Sequence, residues 1–114
     1  MAGLEDISLS WRDRAAIAAA TRVVRQLAAV DEVILFGSKA RGDDDPESDI
    51  DLLVLTRRTL TRAERHRIID ALFPIQIAYD IVLSPVFISS NEWRSGLVSA
   101  LPIRSEVNEQ GVRV

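Results

Sequence analysis

Residues Leu35 to Leu55 read LFGSKARGDDDPESDIDLLVL, and no other stretch constrains the chain as tightly. The apolar run Val33-Ile34-Leu35-Phe36 stops at Gly37, the mark of a buried strand ending in a tight turn. Lys39 to Arg41 permit one helical turn, whereas Gly42 to Glu47, with three aspartates and a proline, must form a loop. From Ser48 to Leu55 carboxylates first alternate with aliphatics, Asp49-Ile50-Asp51-Leu52, and the remainder is apolar. This predicts a strand with one exposed end, paired with Val33 to Phe36.

Asp49 and Asp51 are separated by one residue, so on a strand both project to the same face, roughly 7 Å apart. Two like charges beside a buried strand repel, and something has to neutralise them. Converging carboxylates suit a hard divalent cation, above all Mg²⁺, which takes a few protein oxygens and completes its shell with water and phosphate. Gly37 allows close approach or a positive φ, and backbone N–H groups with the Ser38 hydroxyl at the following helical turn can hold phosphate oxygens. A phosphate cradle and a metal site at neighbouring strand ends predict a site for a metal–nucleoside triphosphate.

The rest of the chain supplies a scaffold. Ser10 with Asp13 opens a helix over about Trp11 to Ala29, with Ile17, Ala20, Val24, Leu27 and Ala28 at helical spacing. Thr61 with Glu64 opens a second, expected to close at Phe73 before Pro74. Ala78 to Leu83 reads as a third strand carrying one acid, Asp80, which is costly on an apolar strand unless used. Ser90 starts a short helix through Trp93, and a last helix runs from near Pro102 to Gly111 before an edge at Val112-Arg113-Val114. The order predicts an α/β (α+β) domain: a small mixed β-sheet with helices packed on one face. Trp11 and Trp93 are expected in the core. The arginines around His66 (Arg62, Arg65, Arg67), and Arg14, Arg22 and Arg25 on the first helix, are expected to form solvated faces.

The 114 residues fit one domain, 1–114. Net charge is -3, with six acids concentrated between Asp43 and Asp51, an arrangement that repels a polyanion and makes direct nucleic-acid binding unexpected. No cysteine is present, which excludes disulfides and thiolate chemistry and suits the cytoplasm. No signal peptide or membrane-spanning run is visible, so a soluble cytoplasmic protein is expected.

Gly37-Ser38, ten residues, then Asp49-Ile50-Asp51 resembles the G-S-x10-D-x-D signature of the polymerase-β-like nucleotidyltransferase superfamily. The fuller string Gly-Ser-Lys-Ala-Arg-Gly with Ser-Asp-Ile-Asp-Leu resembles its minimal nucleotidyltransferase (MNT) group. The resemblance extends to Tyr-Asp-Ile-Val around Asp80, Asn91-Glu92-Trp93 and the Glu-Gln-Gly-Val ending. It implies that fold, a catalytic and metal-binding triad of Asp49, Asp51 and Asp80, and nucleotide phosphates held by Gly37 and Ser38. Arg41 matches the motif's arginine, with a role on the phosphates or on the loop; Lys39 departs from the usual residue, leaving its role open. Members resemble antitoxins of toxin–antitoxin pairs whose partner is a helical HEPN-type toxin. The resemblance thus implies a Mg²⁺-dependent enzyme transferring AMP from ATP to a hydroxyl, such as a tyrosine, of that partner, alone or in a homo- or hetero-oligomer. The alternative is a non-catalytic module that binds nucleotide or partner and neutralises by complex formation.

Overall fold

The computed structural model describes residues 1–114. Strand β1 (Ala2–Gly3) and a 3-10 turn (Leu4–Asp6) precede helix α1 (Trp11–Leu27), which begins where the Ser10 hydroxyl accepts the Asp13 N–H. β2 (Val30–Phe36) leads directly into α2 (Gly37–Arg41), and β3 (Ile50–Thr56) follows the acidic loop. α3 (Arg62–Tyr79), β4 (Leu83–Ser89), α4 (Ser90–Arg94), α5 (Gly96–Ser99), α6 (Pro102–Gln110) and β5 (Val112–Arg113) complete the chain. The five strands form one sheet in the order β1-β5-β2-β3-β4. β2 runs antiparallel to β3 and β5, while the β3–β4 and β1–β5 pairs are parallel. The mixed α/β class expected from the element order is the one observed.

Period-two alternation divides the central strands between two cores. Val33 and Leu35 of β2, with Ile50, Leu52 and Val54 of β3, pack against Ala16, Ile17, Ala20 and Val24 of α1 and Ile68 and Leu72 of α3. Ile34, Phe36, Leu53 and Leu55 point to the other face, where Trp93, Val98 and Val107 cover them. Each fully buried aliphatic contributes roughly 1.5–3 kcal/mol to this packing. Helices therefore lie on both faces rather than on one, because central strands apolar on both sides require a second cover. The short C-terminal helices provide it.

Two further expectations are corrected. α3 does not close at Pro74 but runs through it to Tyr79, because Ile75 and Tyr79, partly buried, continue the core-facing stripe begun by the buried Ile68 and Leu72. That burial outweighs the roughly 3 kcal/mol a proline costs inside a helix. Asp80 accordingly caps α3 in the left-handed conformation, φ 54° and ψ 53°, and does not lie on a strand over Ala78 to Leu83; β4 begins only at Leu83. Trp93 is buried as expected, whereas Trp11 is 80% exposed at the start of α1, where the inward face belongs to Ala16, Ile17 and Ala20. β5 is not an edge, since β1 pairs on its outer side. No helix is long and apolar enough to cross a membrane.

Candidate active site

The site is built where β2 ends and β3 begins. Phe36 and Asp51 are register partners, so the residue after Phe36 lies under the Asp51 carboxylate. That residue is Gly37, with φ +75°, and a Cβ placed on it would overlap Asp51 Oδ2. Glycine is required twice here, once by the backbone and once by the neighbour. Immediately beyond, α2 carries Ser38 at its start and closes at Gly42, φ +80°, whose N–H donates to the Ser38 carbonyl at 2.9 Å.

By strand alternation Asp51 projects to the side of the sheet covered by α6, together with Asp49 two residues earlier. Asp49 is exposed and Asp51 half-buried. The pKa of Asp51 is raised above the ordinary carboxylate value, first by burial, then by the negative charges of Asp49 and Glu106, against the opposing pull of Arg41. None of the eight ion pairs of the structure uses Asp49, Asp51 or Asp80. Two adjacent carboxylates without a counter-ion, one with its charge already disfavoured, form an oxygen donor set suited to a hard cation.

The neighbouring charges are all engaged. Arg41 Nε donates to Asp43 Oδ2 at 3.1 Å, and its Nη1 to Glu106 Oε1 at 3.0 Å. Lys39 is 1% exposed, its ammonium donating to Asp13 Oδ2 at 2.8 Å and lying 2.9 Å from Asp44 Oδ2. The role left open for Lys39 is thus structural: it ties the loop after α2 to α1. Burial by itself would lower its pKa, but the hydrogen bonds and charges of Asp13 and Asp44 prevail and raise it.

Gly37, Ser38, Arg41, Asp49 and Asp51 therefore come together, whereas Asp80 lines a neighbouring cleft with Ser48. It is exposed beside a shallow cleft lined by Glu47, Ser48, Ile81 and Val82, and it is not among the charges that act on Asp51. Three acids do not gather into a metal-holding cluster. The third acid near Asp51 is instead Glu106. It lies 55 residues away on α6, beside buried Val107, with no local pattern to announce it.

Comparison with known proteins fits this geometry. The family model described as "Nucleotidyltransferase domain" matches residues 17–109, a span that takes in the Gly-Ser turn and all three aspartates. The chain belongs to that family. A segment of 57 residues is 47% identical to "Putative protein adenylyltransferase" of Methanocaldococcus jannaschii, covering 50% of this chain and 58% of the relative. The chain thus matches a little over half the length of that curated relative. Among solved structures, a crystal structure of a toxin–antitoxin with AMP-PNP is similar with a TM-score of 0.57 and 26% identity, over 82% of this chain and 67% of that one. A tri-AMPylated Shewanella oneidensis HEPN toxin in complex with MNT antitoxin gives a TM-score of 0.56 at 20% identity, over 88% and 69%. This last likeness is one of fold.

Proposed function

We propose that this nucleotidyltransferase domain transfers AMP from ATP to a hydroxyl of a helical HEPN-type partner protein, a tyrosine being the favoured acceptor, and thereby acts as an antitoxin. The observation that carries the reading is the unpaired Asp49–Asp51 couple set over Gly37 at the start of α2. The 47% identical adenylyltransferase segment and the similar toxin–antitoxin structure with AMP-PNP support it.

In this reading Asp49 and Asp51 hold Mg²⁺, which supplies charge neutralisation on the triphosphate. The Gly37–Ser38 turn receives phosphate oxygens through its N–H groups and the Ser38 hydroxyl, and Arg41 leaves its carboxylate partners to join them. The acceptor hydroxyl attacks the α-phosphorus; the bond to the bridging oxygen of the β-phosphate breaks, and pyrophosphate leaves as the hydroxyl proton is lost. Asp80, at the mouth of the neighbouring cleft, faces the approach of the acceptor rather than completing the metal site.

The test is intact-mass spectrometry of a HEPN-type toxin co-expressed with this chain, after incubation with the chain, ATP and Mg²⁺. Mass gains in steps of one AMP, absent with Asp49→Asn, are expected. A stable complex without any gain would establish the second reading, neutralisation by complex formation, which the absence of a three-acid cluster favours.

A further inference from the structure

A helix that covers one face of a sheet needs a single apolar stripe. α3 has two. Ile68, Leu72, Ile75 and Tyr79 pack inward against the core. Ile69, Phe73 and Ile77, each four residues from the next, form a second row that is 45%, 59% and 67% exposed. Val82, 52% exposed, stands beyond the end of the helix. Three large apolar side chains in one line on a surface mark a contact site rather than chance exposure.

The two ends of the row differ in charge. Toward the start of α3 lie Arg62, Arg65, His66 and Arg67, and none of the three arginines takes part in an ion pair, although the chain is net negative. At the other end stand Asp80 and, across the cleft, Ser48. The Val82 carbonyl accepts the Ile50 N–H at 2.9 Å, which joins this end directly to the segment carrying Asp49 and Asp51.

We infer that the outer face of α3 is the docking surface for the acceptor protein, and that the occupant is an acidic amphipathic helix of that partner. The inference rests on the AMP-transfer reading and names its recognition surface. The partner's apolar side chains lie along Ile69, Phe73 and Ile77, and its carboxylates meet the basic start of α3. Its reacting hydroxyl enters from the Asp80 end, about 20 Å along the helix from Arg67 by the helical rise. Charge complementarity of this kind fixes the direction of docking and speeds encounter. An anionic lipid surface would match the arginines but would be repelled by the acidic end that holds Asp49 and Asp80. A second copy laid antiparallel would also set the basic start of one α3 against the Asp80 end of the other, but it would cover the approach to the segment carrying Asp49 and Asp51 that the transfer reading requires.

The experiment uses a HEPN-type toxin co-expressed with wild-type chain, Phe73→Glu and the pair Arg62→Glu/Arg67→Glu. Phe73 and the two arginines are exposed, and circular dichroism with AMP-PNP affinity reports that fold and nucleotide site survive. Phe73→Glu is expected to weaken partner binding about 100-fold while AMP-PNP affinity stays within about twofold of wild type. The arginine pair is expected to slow association about tenfold at low salt, an effect that fades in high salt. Partner binding unchanged in both variants, with AMP transfer undiminished, overturns the inference and leaves the transfer reading intact. Binding lost in Phe73→Glu while the wild type binds without transferring AMP upholds the surface and removes the transfer reading. A wild-type dimer in sedimentation that Phe73→Glu dissociates, or co-sedimentation with phosphatidylserine vesicles that it abolishes, assigns the face to another occupant and overturns the inference.

Discussion

The Lys39 ammonium donates to Asp13 Oδ2 at 2.8 Å, and both side chains are almost entirely buried, at 1% and 4% exposure. Asp44 closes the group from the loop side. Asp13 Oδ1, by contrast, has no hydrogen-bond partner and only Arg12 Nε at 3.9 Å, so Lys39 is the nearer and better buried of the two cations that balance that carboxylate. The pair positions the loop that leads from the Gly-Ser turn to the two site aspartates.

Removing one partner of such a pair leaves the other charge buried. Lys39→Met is expected to lower unfolding stability by roughly 3 to 5 kcal/mol. Adding Asp13→Leu to that variant should recover most of the loss, since an apolar pair of similar volume is often neutral in place of a buried ion pair. Urea denaturation of the single and double variants decides this. A single variant as stable as the wild type would show that Asp13 is neutralised by other means.

Gly37 and Asp51 constrain one another. Gly37→Ala places a methyl group in a left-handed backbone, costing roughly 1 to 2 kcal/mol, and pushes it against the Asp51 carboxylate. Stability should fall by about that amount or somewhat more, and AMP transfer should fall at least 100-fold because the carboxylate is displaced. Thermal unfolding and the mass assay measure the two effects. A variant with normal transfer would mean that Asp51 moves freely in the working enzyme.

How much of this was legible beforehand depended on the range of each interaction. The Gly37-Ser38 turn, the Asp49-Ile50-Asp51 strand end and the pairing of β2 with β3 were readable because turn chemistry and strand period are local. The strand assigned to Asp80 failed for a tertiary reason. A proline and the Tyr79-Asp80-Ile81 sequence look like a helix stop followed by a strand, but burial of Ile75 and Tyr79 carries α3 onward. Glu106 and the Lys39–Asp13 pair were invisible, since they are contacts across 55 and 26 residues between side chains whose local surroundings are ordinary. The second helical layer was missed because α4, α5 and α6 are too short for a clear period, while the two-sided apolarity of β2 and β3 was the signal that called for it.

Asp51 carries a stability cost that the fold accepts. Burial, then Asp49 and Glu106, raise its pKa above the ordinary value of 3.8. A carboxyl whose folded pKa exceeds its unfolded value binds protons more tightly when folded. The stability it contributes is therefore present below the unfolded pKa and is lost as pH rises through the folded one. In EDTA, Asp51→Asn should be more stable than the wild type at neutral pH by on the order of 1 kcal/mol or less, and the decline over the mildly acidic range should flatten. Thermal unfolding from pH 3.5 to 7 measures it. An Asn variant less stable than the wild type at neutral pH would mean that an unseen cation or donor already balances Asp51.

Arg41 offers the clearest separation of a structural from a binding role. Its guanidinium is shared between Asp43 and Glu106 at the surface, and such exposed pairs contribute little to stability. The side chain is thus held beside the Ser38 turn by partners weak enough to be exchanged for a phosphate. Arg41→Gln should leave unfolding stability nearly unchanged and raise KM for ATP about tenfold with kcat nearly constant, the pattern of a lost contact made equally in ground and transition states. Glu106→Gln frees Arg41 from one restraint and should leave KM unchanged or lower it. Steady-state kinetics of the two variants, read beside their urea midpoints, checks both statements. If Arg41→Gln markedly lowered the urea midpoint and left KM unaltered, the arginine would be a strut between α2 and α6 and nothing more.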